Sequence, residues 1–226
     1  MTSISLSGYL DVIARSRVIE RDAYGEKVLV SPDGGFVKVF RAKKRFSTAV
    51  IRPYAVRFRD NTEKLARLGI PTVQVCSLVY CPENRRHLVA YRPLPGDTLR
   101  QVLRDGGDPD PLLMRFVRLL AELHRSGVYF RSIHFGNVIV QPGSDALGLI
   151  DIADMRIRPR PLGAQARARN FRHFLRYRDD VRCLERFGLD RFLGAYLDAS
   201  GLVGWRREAF LYCVGRVLKG SLNTER

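Results

Sequence analysis

The chain has 226 residues, of which 46% are hydrophobic and 27% are charged, a composition typical of a folded protein and not of a disordered one. Lysine and arginine number 39 against 23 aspartate and glutamate, which gives a formal charge of +16. Such a surface attracts anions, and the charge alone does not choose among phosphorylated sugars, anionic lipid headgroups and nucleic acid. None of the four cysteines has CxxC spacing, which argues against a zinc site and indicates reduced thiols.

Targeting and membrane-spanning segments are not expected. Residues 1–13 lack the basic start and long apolar run of a signal peptide. No stretch approaches the roughly 18 uninterrupted apolar residues of a spanning helix. We therefore expect a cytoplasmic protein, and its basic character permits peripheral contact with anionic lipid of an inner membrane.

The first ninety residues are predicted to form strands with one helix. Turn residues at 23–26 and 32–35 separate three β-rich runs, and a turn around Pro82 joins two further strands. The helix lies between the third and fourth strands and stops at Gly69. The predicted strands are Arg17–Asp22, Lys27–Ser31, Phe36–Phe40, Val73–Tyr80 and His87–Tyr91, and the helix is Arg52–Leu68.

The pattern changes at a breaker-rich link, residues 93–96. Two helices follow, the second with a broad apolar face, and two short strands then flank a Pro-Gly turn. The predicted elements are helices Thr98–Leu103 and Pro111–Ser126, strands Val138–Val140 and Leu147–Ile150, and further helix from about Gly163. We therefore predict an α+β fold of two lobes. Residues 1–91 form a small β-rich lobe with one helix, and residues 92–226 form a larger helical lobe.

Lys38 is the first candidate functional residue, because it interrupts an apolar strand. A buried ammonium is costly unless it is paired. Glu63 on the following helix is the candidate partner and Asp60 is its rival. The alternatives are that Lys38 faces water from an edge strand and that Glu63 faces solvent.

The second candidate region is the loop 127–137, which contains Ser132 and ends at Asn137, whose amide oxygen is placed to ligate Mg²⁺. Asp151 directly follows a buried strand, and Asp154 lies three residues later. Carboxylates at such a point are suited to a hard cation. The alternatives are that the loop residues only make turns and that Asp151 caps the next segment.

Taken in this order, these features resemble the protein-kinase-like superfamily. They are most similar to the bacterial lipopolysaccharide core kinases of the Kdo/WaaP type and the related "toluene tolerance" proteins. The resemblance runs from about Lys27 to Met155. The residues that carry it are Val37–Phe40, Arg52–Ala55, Arg57, Phe58, Asn61, Leu68–Thr72, Leu94–Leu99, Leu123–Asn137 and Leu149–Asp151.

The resemblance implies ATP and Mg²⁺ as cofactors, with Lys38 on the nucleotide phosphates and Asn137 and Asp151 on the metal. It also implies that the segment 24–27 with Gly25 covers the phosphates, and that the backbone around Tyr91 meets the adenine. The implied acceptor is a hydroxyl group of a lipopolysaccharide core sugar or a similar anionic glycolipid.

Two departures from the family pattern matter. The phosphate loop offers one glycine, Gly25, and the catalytic aspartate is replaced by Ser132, which follows Arg131. A general base contributes on the order of 10²–10⁴ in rate, whereas phosphoryl transfer depends mostly on positioning and charge neutralisation. Asp154 or His134 is the candidate substitute, and the alternative for His134 is a structural hydrogen-bonding role.

The basic stretch 167–178 is predicted to be helical, either gripping an anion or presenting a solvated basic face with its aromatic residues packed inward. Three functions remain open. The first is an ATP-dependent phosphotransferase. The second is a pseudokinase that binds or regulates in envelope biogenesis. A nucleic-acid-binding protein ranks last, and no nucleic-acid partner is expected.

Overall fold

The computed structural model of the protein describes residues 2–41 and 52–222. The chain divides into two compact units, one comprising Met1–Arg67 and Thr72–Leu94 and the other Leu68–Pro71 and Pro95–Arg226. The first unit is rich in strands and the second is mostly helical, so the predicted α+β class is confirmed.

A six-stranded sheet forms the N-terminal unit within the described residues, in the order β1-β5-β6-β4-β3-β2. All neighbours are antiparallel except β1 and β5. The strands are β1 Thr2–Ser3, β2 Arg17–Asp22, β3 Gly25–Val30, β4 Phe36–Arg41, β5 Gln74–Cys81 and β6 Arg86–Arg92. Each of the five predicted strands is present, with ends shifted by no more than two residues.

Helix α1, Leu6–Arg15, covers one face of this sheet and was not predicted. Its Tyr9 packs with Leu29, Val37 and Leu88 from three strands. Apolar burial of this kind is worth about 1.5–3 kcal/mol for each large side chain. The N-terminal unit therefore has at least two helices where the sequence analysis expected one.

Helix α2, Tyr54–Arg67, belongs to the same unit and is close to its predicted range. The ring of Phe58 lies 5.8 Å from Phe40 and 5.6 Å from Tyr91, measured between centroids. Strand alternation places Phe40 and Lys38 on the same face of β4, opposite to Val37. The side chain of Lys38 thus points to the face on which Phe58 packs.

The described part of the C-terminal unit combines short strands with helices. Its strands are β7 Asp97–Thr98, β8 Val128–Tyr129, β9 Val138–Val140, β10 Leu147–Leu149 and β11 Arg156–Ile157. Its α-helices are α3 Leu99–Arg104, α4 Pro109–Arg125, α5 Ala164–Phe174, α6 Arg178–Phe187, α7 Leu189–Ser200 and α8 Trp205–Leu222. Two 3₁₀ turns, Phe135–Asn137 and Ile152–Asp154, lie between these strands. No helix within the described residues has both the length and the apolar character needed to cross a bilayer.

Aromatic side chains fill the core between these helices. Helix α4 packs on α7, and α5 packs on α8. Phe171 of α5 touches the rings of Phe174, Phe192 and Phe210 at centroid distances of 5.3–6.1 Å. Phe171 and Phe174 of the basic stretch 167–178 therefore pack inward, as one of the two alternatives held, whereas Tyr177 is exposed.

A buried polar chain crosses this core. Arg167 donates to the hydroxyl of Tyr196 (2.9 Å), which contacts Nδ1 of His124 (2.7 Å). Nε2 of His124 contacts Oδ1 of Asn170 (3.1 Å), and the amide nitrogen of Asn170 donates to the carbonyl of Phe130 (2.6 Å). Because Oδ1 of Asn170 can only accept, His124 donates from Nε2 and accepts at Nδ1. The chain therefore requires a neutral imidazole.

Protonation of His124 should unfold the protein in acid. Burial lowers the pKa of His124 to about 3 from 6.5, so the unfolded state takes up the proton first. The stabilisation is complete above pH 6.5 and is lost as the pH falls toward 3, at up to about 1.4 kcal/mol per pH unit. Urea unfolding between pH 7 and 3 measures the slope.

In the variant His124→Gln, the free energy of unfolding should depend less steeply on pH, by the equivalent of about one bound proton. His173→Gln is the comparison, because the pKa of His173 is lowered to about 4 and its effect ends at a higher pH. An unchanged slope in His124→Gln would contradict this account.

Candidate active site

The loop between β8 and β9 carries the candidate catalytic residues and is held from two sides. The backbone of Phe130 exchanges hydrogen bonds with the Asn170 amide (2.6 and 3.4 Å). At the other end, the N–H of Phe135 donates to the carboxylate of Asp180 (2.9 Å). Gly127 allows the loop to start, because its φ is +74° and an added Cβ would lie 2.3 Å from the carbonyl oxygen of Arg158.

Asp180 is fully buried, and both oxygens of its carboxylate accept hydrogen bonds. Arg100 donates to both of its oxygens, from Nε at 2.8 Å and from Nη2 at 3.0 Å. Such a bidentate pair is geometrically specific. The bond to Phe135 and the bond to Arg100 together fix the second half of the loop to α6 and α3.

Ser132 lies in hydrogen-bond contact with Asp154. Its hydroxyl donates to Oδ2 of Asp154 at 2.7 Å, where the 3₁₀ turn Ile152–Asp154 ends. Oδ1 of Asp154 is buried and has no hydrogen-bond partner among the described residues. A buried acceptor without a hydrogen-bond partner is unfavourable.

Burial raises the pKa of Asp154, and the charge of Asp151 raises it further. The Ser132 hydroxyl and the nearby charge of Arg131 act in the opposite direction. Arg131 itself is exposed, so it contributes a cation beside this carboxylate. A raised pKa is the usual adjustment for a carboxylate that accepts a proton during catalysis.

Asn137 and Asp151 are brought together by the β9–β10 hairpin. The N–H of Ile150 donates to the carbonyl of Asn137 (3.0 Å), which places Asp151 directly beyond that pair. The Asn137 amide nitrogen donates to the carbonyl of Ser132 (2.9 Å), so the amide oxygen is left as the acceptor end. Asp151 has a left-handed backbone, φ 52°, a conformation that non-glycine residues adopt mainly where the surroundings impose it.

These residues fit a hard divalent cation. Asn137 and Asp151 offer an amide oxygen and a carboxylate, the type of ligand that Mg²⁺ prefers, and the charges of Asp151 and Asp154 oppose each other in the absence of a cation. No three His, Cys, Asp or Glu side chains cluster as a metal site in the part of the chain that the structure describes.

His134 is engaged in the structure of the loop. Its Nδ1 accepts from the N–H of Gly136 (3.1 Å) at the start of the 3₁₀ turn, and its ring stacks on Tyr177 at 4.2 Å. Burial and the neighbouring Arg100 lower the pKa of His134. This geometry favours the structural alternative for His134, and a chemical role stays a prediction.

In the N-terminal unit, Lys38 is buried with its Nζ 5.7 Å from the ring centre of Phe40 and 5.8 Å from that of Phe58. The water-facing alternative for Lys38 therefore does not hold. Glu63 is exposed and forms ion pairs with Arg59 and Arg67 of its own helix. A pairing of Lys38 with Glu63 stays a prediction.

The rival partner, Asp60, accepts from Arg52 and Arg59 at 2.5 and 2.8 Å, so both candidate carboxylates are engaged by arginines. Gly25, with φ +115°, begins β3 after a two-residue turn. The backbone carbonyl of Tyr24 in that turn accepts from Arg86 (2.6 Å). Tyr91 pairs with Phe36 across β6 and β4.

Two supporting residues, Asp180 and Asn170, were missed by the sequence analysis. They lie 48 and 38 positions after Ser132 (180 − 132 and 170 − 132), in helices whose basic composition drew attention to the arginines. The residues next to them in the sequence form no motif that points back to the loop. The available signal was an acid and an amide within an otherwise basic helical region.

Comparison with solved structures gives one fold for nearly the whole chain. A structure of WaaP in complex with acyl carrier protein matches with a TM-score of 0.66 and 20% identity, covering 96% of this chain and 90% of that one. The bifunctional kinase-methyltransferase WbdD matches with a TM-score of 0.51 and 14% identity, over 86% of this chain and 47% of WbdD. A structure of monomeric WbdD gives the same TM-score at 15% identity.

This chain thus spans about half the length of WbdD. No protein-family model matches the sequence, and no curated protein matches it with significance. The resemblance to the WaaP-type lipopolysaccharide core kinases that was predicted from sequence is confirmed as a shared fold.

Replacing Asp154 with asparagine should stabilise the protein near neutral pH. The folded-state pKa of Asp154 is raised, so its stabilising contribution is present below its ordinary pKa of 3.8 and is lost as the pH rises through the raised value. The amide oxygen of the introduced asparagine still accepts from Ser132. Melting temperatures of wild type and Asp154→Asn, measured between pH 4 and 8, should diverge as the pH rises.

Asp198→Asn is the control, because Asp198 is exposed on α7. A melting temperature of Asp154→Asn at or below that of wild type at pH 8 would show that the buried carboxylate does not destabilise the folded state.

Proposed function

We propose that the protein is an ATP-dependent phosphotransferase that phosphorylates a hydroxyl group of a lipopolysaccharide core sugar or a similar anionic glycolipid. The observation that carries the proposal is the 2.7 Å hydrogen bond from Ser132 to Asp154. This contact supports the proposal because it brings a carboxylate next to Ser132, the residue that the resemblance aligns with the catalytic aspartate. The WaaP-like fold supports the reaction class.

Asp154 acts as the general base and Ser132 positions it. The Ser132 hydroxyl holds Oδ2, and the orphan Oδ1 takes the proton of the acceptor hydroxyl. The acceptor oxygen forms its bond to the γ-phosphorus while the bond from that phosphorus to the bridging oxygen of ADP breaks. The proton on Asp154 then passes to solvent. The raised pKa of Asp154 makes the carboxylate a better proton acceptor.

Asn137 and Asp151 are the residues that would hold Mg²⁺ in the C-terminal unit, and Lys38 would hold nucleotide phosphates in the N-terminal unit. The metal, when bound, neutralises charge on the transferring phosphoryl group. The Asn137 bond to the Ser132 carbonyl ties the metal ligand to the residue that orients the base. The adenine is expected at the backbone near Tyr91, and the turn containing Gly25 covers the phosphates.

The acceptor is expected to be anionic because the chain carries +16 and because long-range attraction concentrates anions at such a surface. Lipopolysaccharide core sugars meet that requirement and are what the resemblance implies. We therefore expect the reaction at the cytoplasmic face of an inner membrane.

Turnover should depend more on Asp154 than on Ser132. Asp154→Asn should lower kcat by about 10²–10⁴, the usual contribution of a general base, while Ser132→Ala retains more activity. The acid limb of the pH–rate profile should move to higher pH in Ser132→Ala, because the hydroxyl that lowers the pKa of Asp154 is removed. The assay is phosphate transfer from Mg²⁺-ATP to core oligosaccharide.

Asp198→Asn is the control, since Asp198 is exposed on α7, and its pH profile should keep the wild-type acid limb. Wild-type rates in Asp154→Asn, with nucleotide binding intact, would remove Asp154 from the reaction.

A pseudokinase is the second candidate, favoured by Ser132 and by the glycine-poor turn at Tyr24, whose ring stacks under the guanidinium of Arg41 at 3.5 Å. Ser132→Asp distinguishes the two. In the phosphotransferase the new carboxylate meets Asp154 at hydrogen-bond distance and lowers activity through like-charge repulsion. In a pseudokinase it creates or raises activity.

Thermal stabilisation by ATP should require Lys38, and the increment from Mg²⁺ should require Asp151. Wild type should melt at a higher temperature with ATP, and higher still with Mg²⁺-ATP, because a ligand that binds only the folded state stabilises it. Lys38→Ala should lose the first shift and Asp151→Ala the second. An unshifted wild type would reject both the phosphotransferase and a nucleotide-binding pseudokinase.

A further inference from the structure

Helix α8 and the turn before it carry exposed apolar side chains that do not pack into the core. Val203 and Trp205 are each 75% exposed and Tyr212 is 69% exposed. Trp205 is the sole tryptophan of the chain. Large apolar side chains grouped on a surface in this way commonly mark a contact site.

The two faces of α8 explain why the cluster faces outward. Phe210 and Val214 are buried, and Phe210 packs on Phe171 and Tyr196 at 5.4 and 5.0 Å. Trp205 and Tyr212 are seven residues apart, which brings them to one side of a helix with 3.6 residues per turn. That side lies roughly opposite Val214.

Arginines surround the apolar residues. The guanidinium of Arg206 lies 5.6 Å from the ring centre of Trp205. Arg216 is exposed and falls on the same side as Tyr212, whereas Arg207 follows Trp205 by two residues and therefore lies on the other side of the helix. The acid near the Trp205 side is Glu208, which Arg207 approaches to 3.9 Å. Arg206 and Arg216 against Glu208 leave the surroundings of the apolar side chains with an excess of one positive charge.

We propose that Val203, Trp205, Tyr212 and the flanking arginines form a surface that binds an anionic lipid bilayer. Tryptophan and tyrosine favour the interface between headgroups and acyl chains, and arginines beside them attract anionic headgroups. The cluster is complementary to a negative surface and repels a second copy of itself. Three exposed apolar side chains also provide far less than the roughly 800 Å² per partner of a stable interface.

The proposal goes beyond the phosphotransferase function and does not depend on it. It gives the protein a means of meeting a lipid-anchored acceptor in the plane of the membrane, with one end of the C-terminal unit resting on the headgroups. Residues of the candidate active site take no part in it, so that each of the two proposals fails or stands separately.

The test uses the full chain and vesicles of phosphatidylglycerol with phosphatidylethanolamine, compared with pure phosphatidylcholine. Trp205 fluorescence should shift to the blue with the anionic vesicles, and the protein should sediment with them. Added salt should release it, because electrostatic attraction to headgroups is screened. Trp205→Ser with Tyr212→Ser should weaken sedimentation by about tenfold or more.

Matched controls come from the N-terminal unit. Leu10→Ser with Ile19→Ser removes two comparably exposed apolar side chains, and Arg17→Glu is the control for Arg206→Glu. Controls that sediment like wild type, together with loss in the α8 variants at unchanged melting temperature, support the proposal. The absence of a blue shift, equal loss in the controls, or a concentration-dependent dimer that buries Trp205 would overturn it.

Discussion

A buried carboxylate without access to water holds the candidate catalytic loop in place. Asp180 lies beneath the loop, takes two hydrogen bonds from Arg100 and one from the backbone of Phe135, and is fully buried. Removing one partner of such a pair leaves an uncompensated charge and typically costs about 3–5 kcal/mol. The loop can therefore leave this position only by breaking the hydrogen bond from the Phe135 N–H to a carboxylate that the ion pair with Arg100 fixes, and the placements of His134 and Asn137 beside Phe135 follow from that anchor.

The second half of the site follows from the same logic of desolvation. The 3₁₀ turn after Asp151 places Asp154 in a partly buried position. One oxygen of its carboxylate accepts from Ser132, and the other has no hydrogen-bond partner among the described residues. The hydroxyl of Ser132 lies 2.7 Å from Oδ2 of Asp154, so an acidic oxygen lies next to the serine although the two residues are 22 positions apart in the chain.

The sequence predicted elements with regular periodicity well and long-range polar contacts poorly. The strand carrying Lys38, the apolar helix α4 and the hairpin that joins Asn137 to Asp151 were all apparent from alternation, helical spacing and turn residues. Helix α1 is a short amphipathic segment, and most of its residues fall within 1–13. It was missed because those residues were considered only as a possible signal peptide. Asp180 and Asn170 were missed for a different reason: their function depends on tertiary contacts with a loop about 40 residues away, and no local pattern encodes that distance.

The charge of +16 has more than one physical use, which weakens any inference from composition to a nucleic-acid partner. Arg115 donates to two backbone carbonyls of the β9–β10 turn, and Arg167 donates to the carbonyl of Leu162 from a buried position. Arginine is suited to such contacts with backbone carbonyls because its planar guanidinium group carries five hydrogen-bond donors and is weakly hydrated. The number of cationic residues therefore overstates the anion-binding surface, since some of the arginines bond to backbone carbonyls at turns and helix ends. Arg206 and Arg216 of α8 differ from these, because both are exposed and the guanidinium of Arg206 lies beside the exposed ring of Trp205.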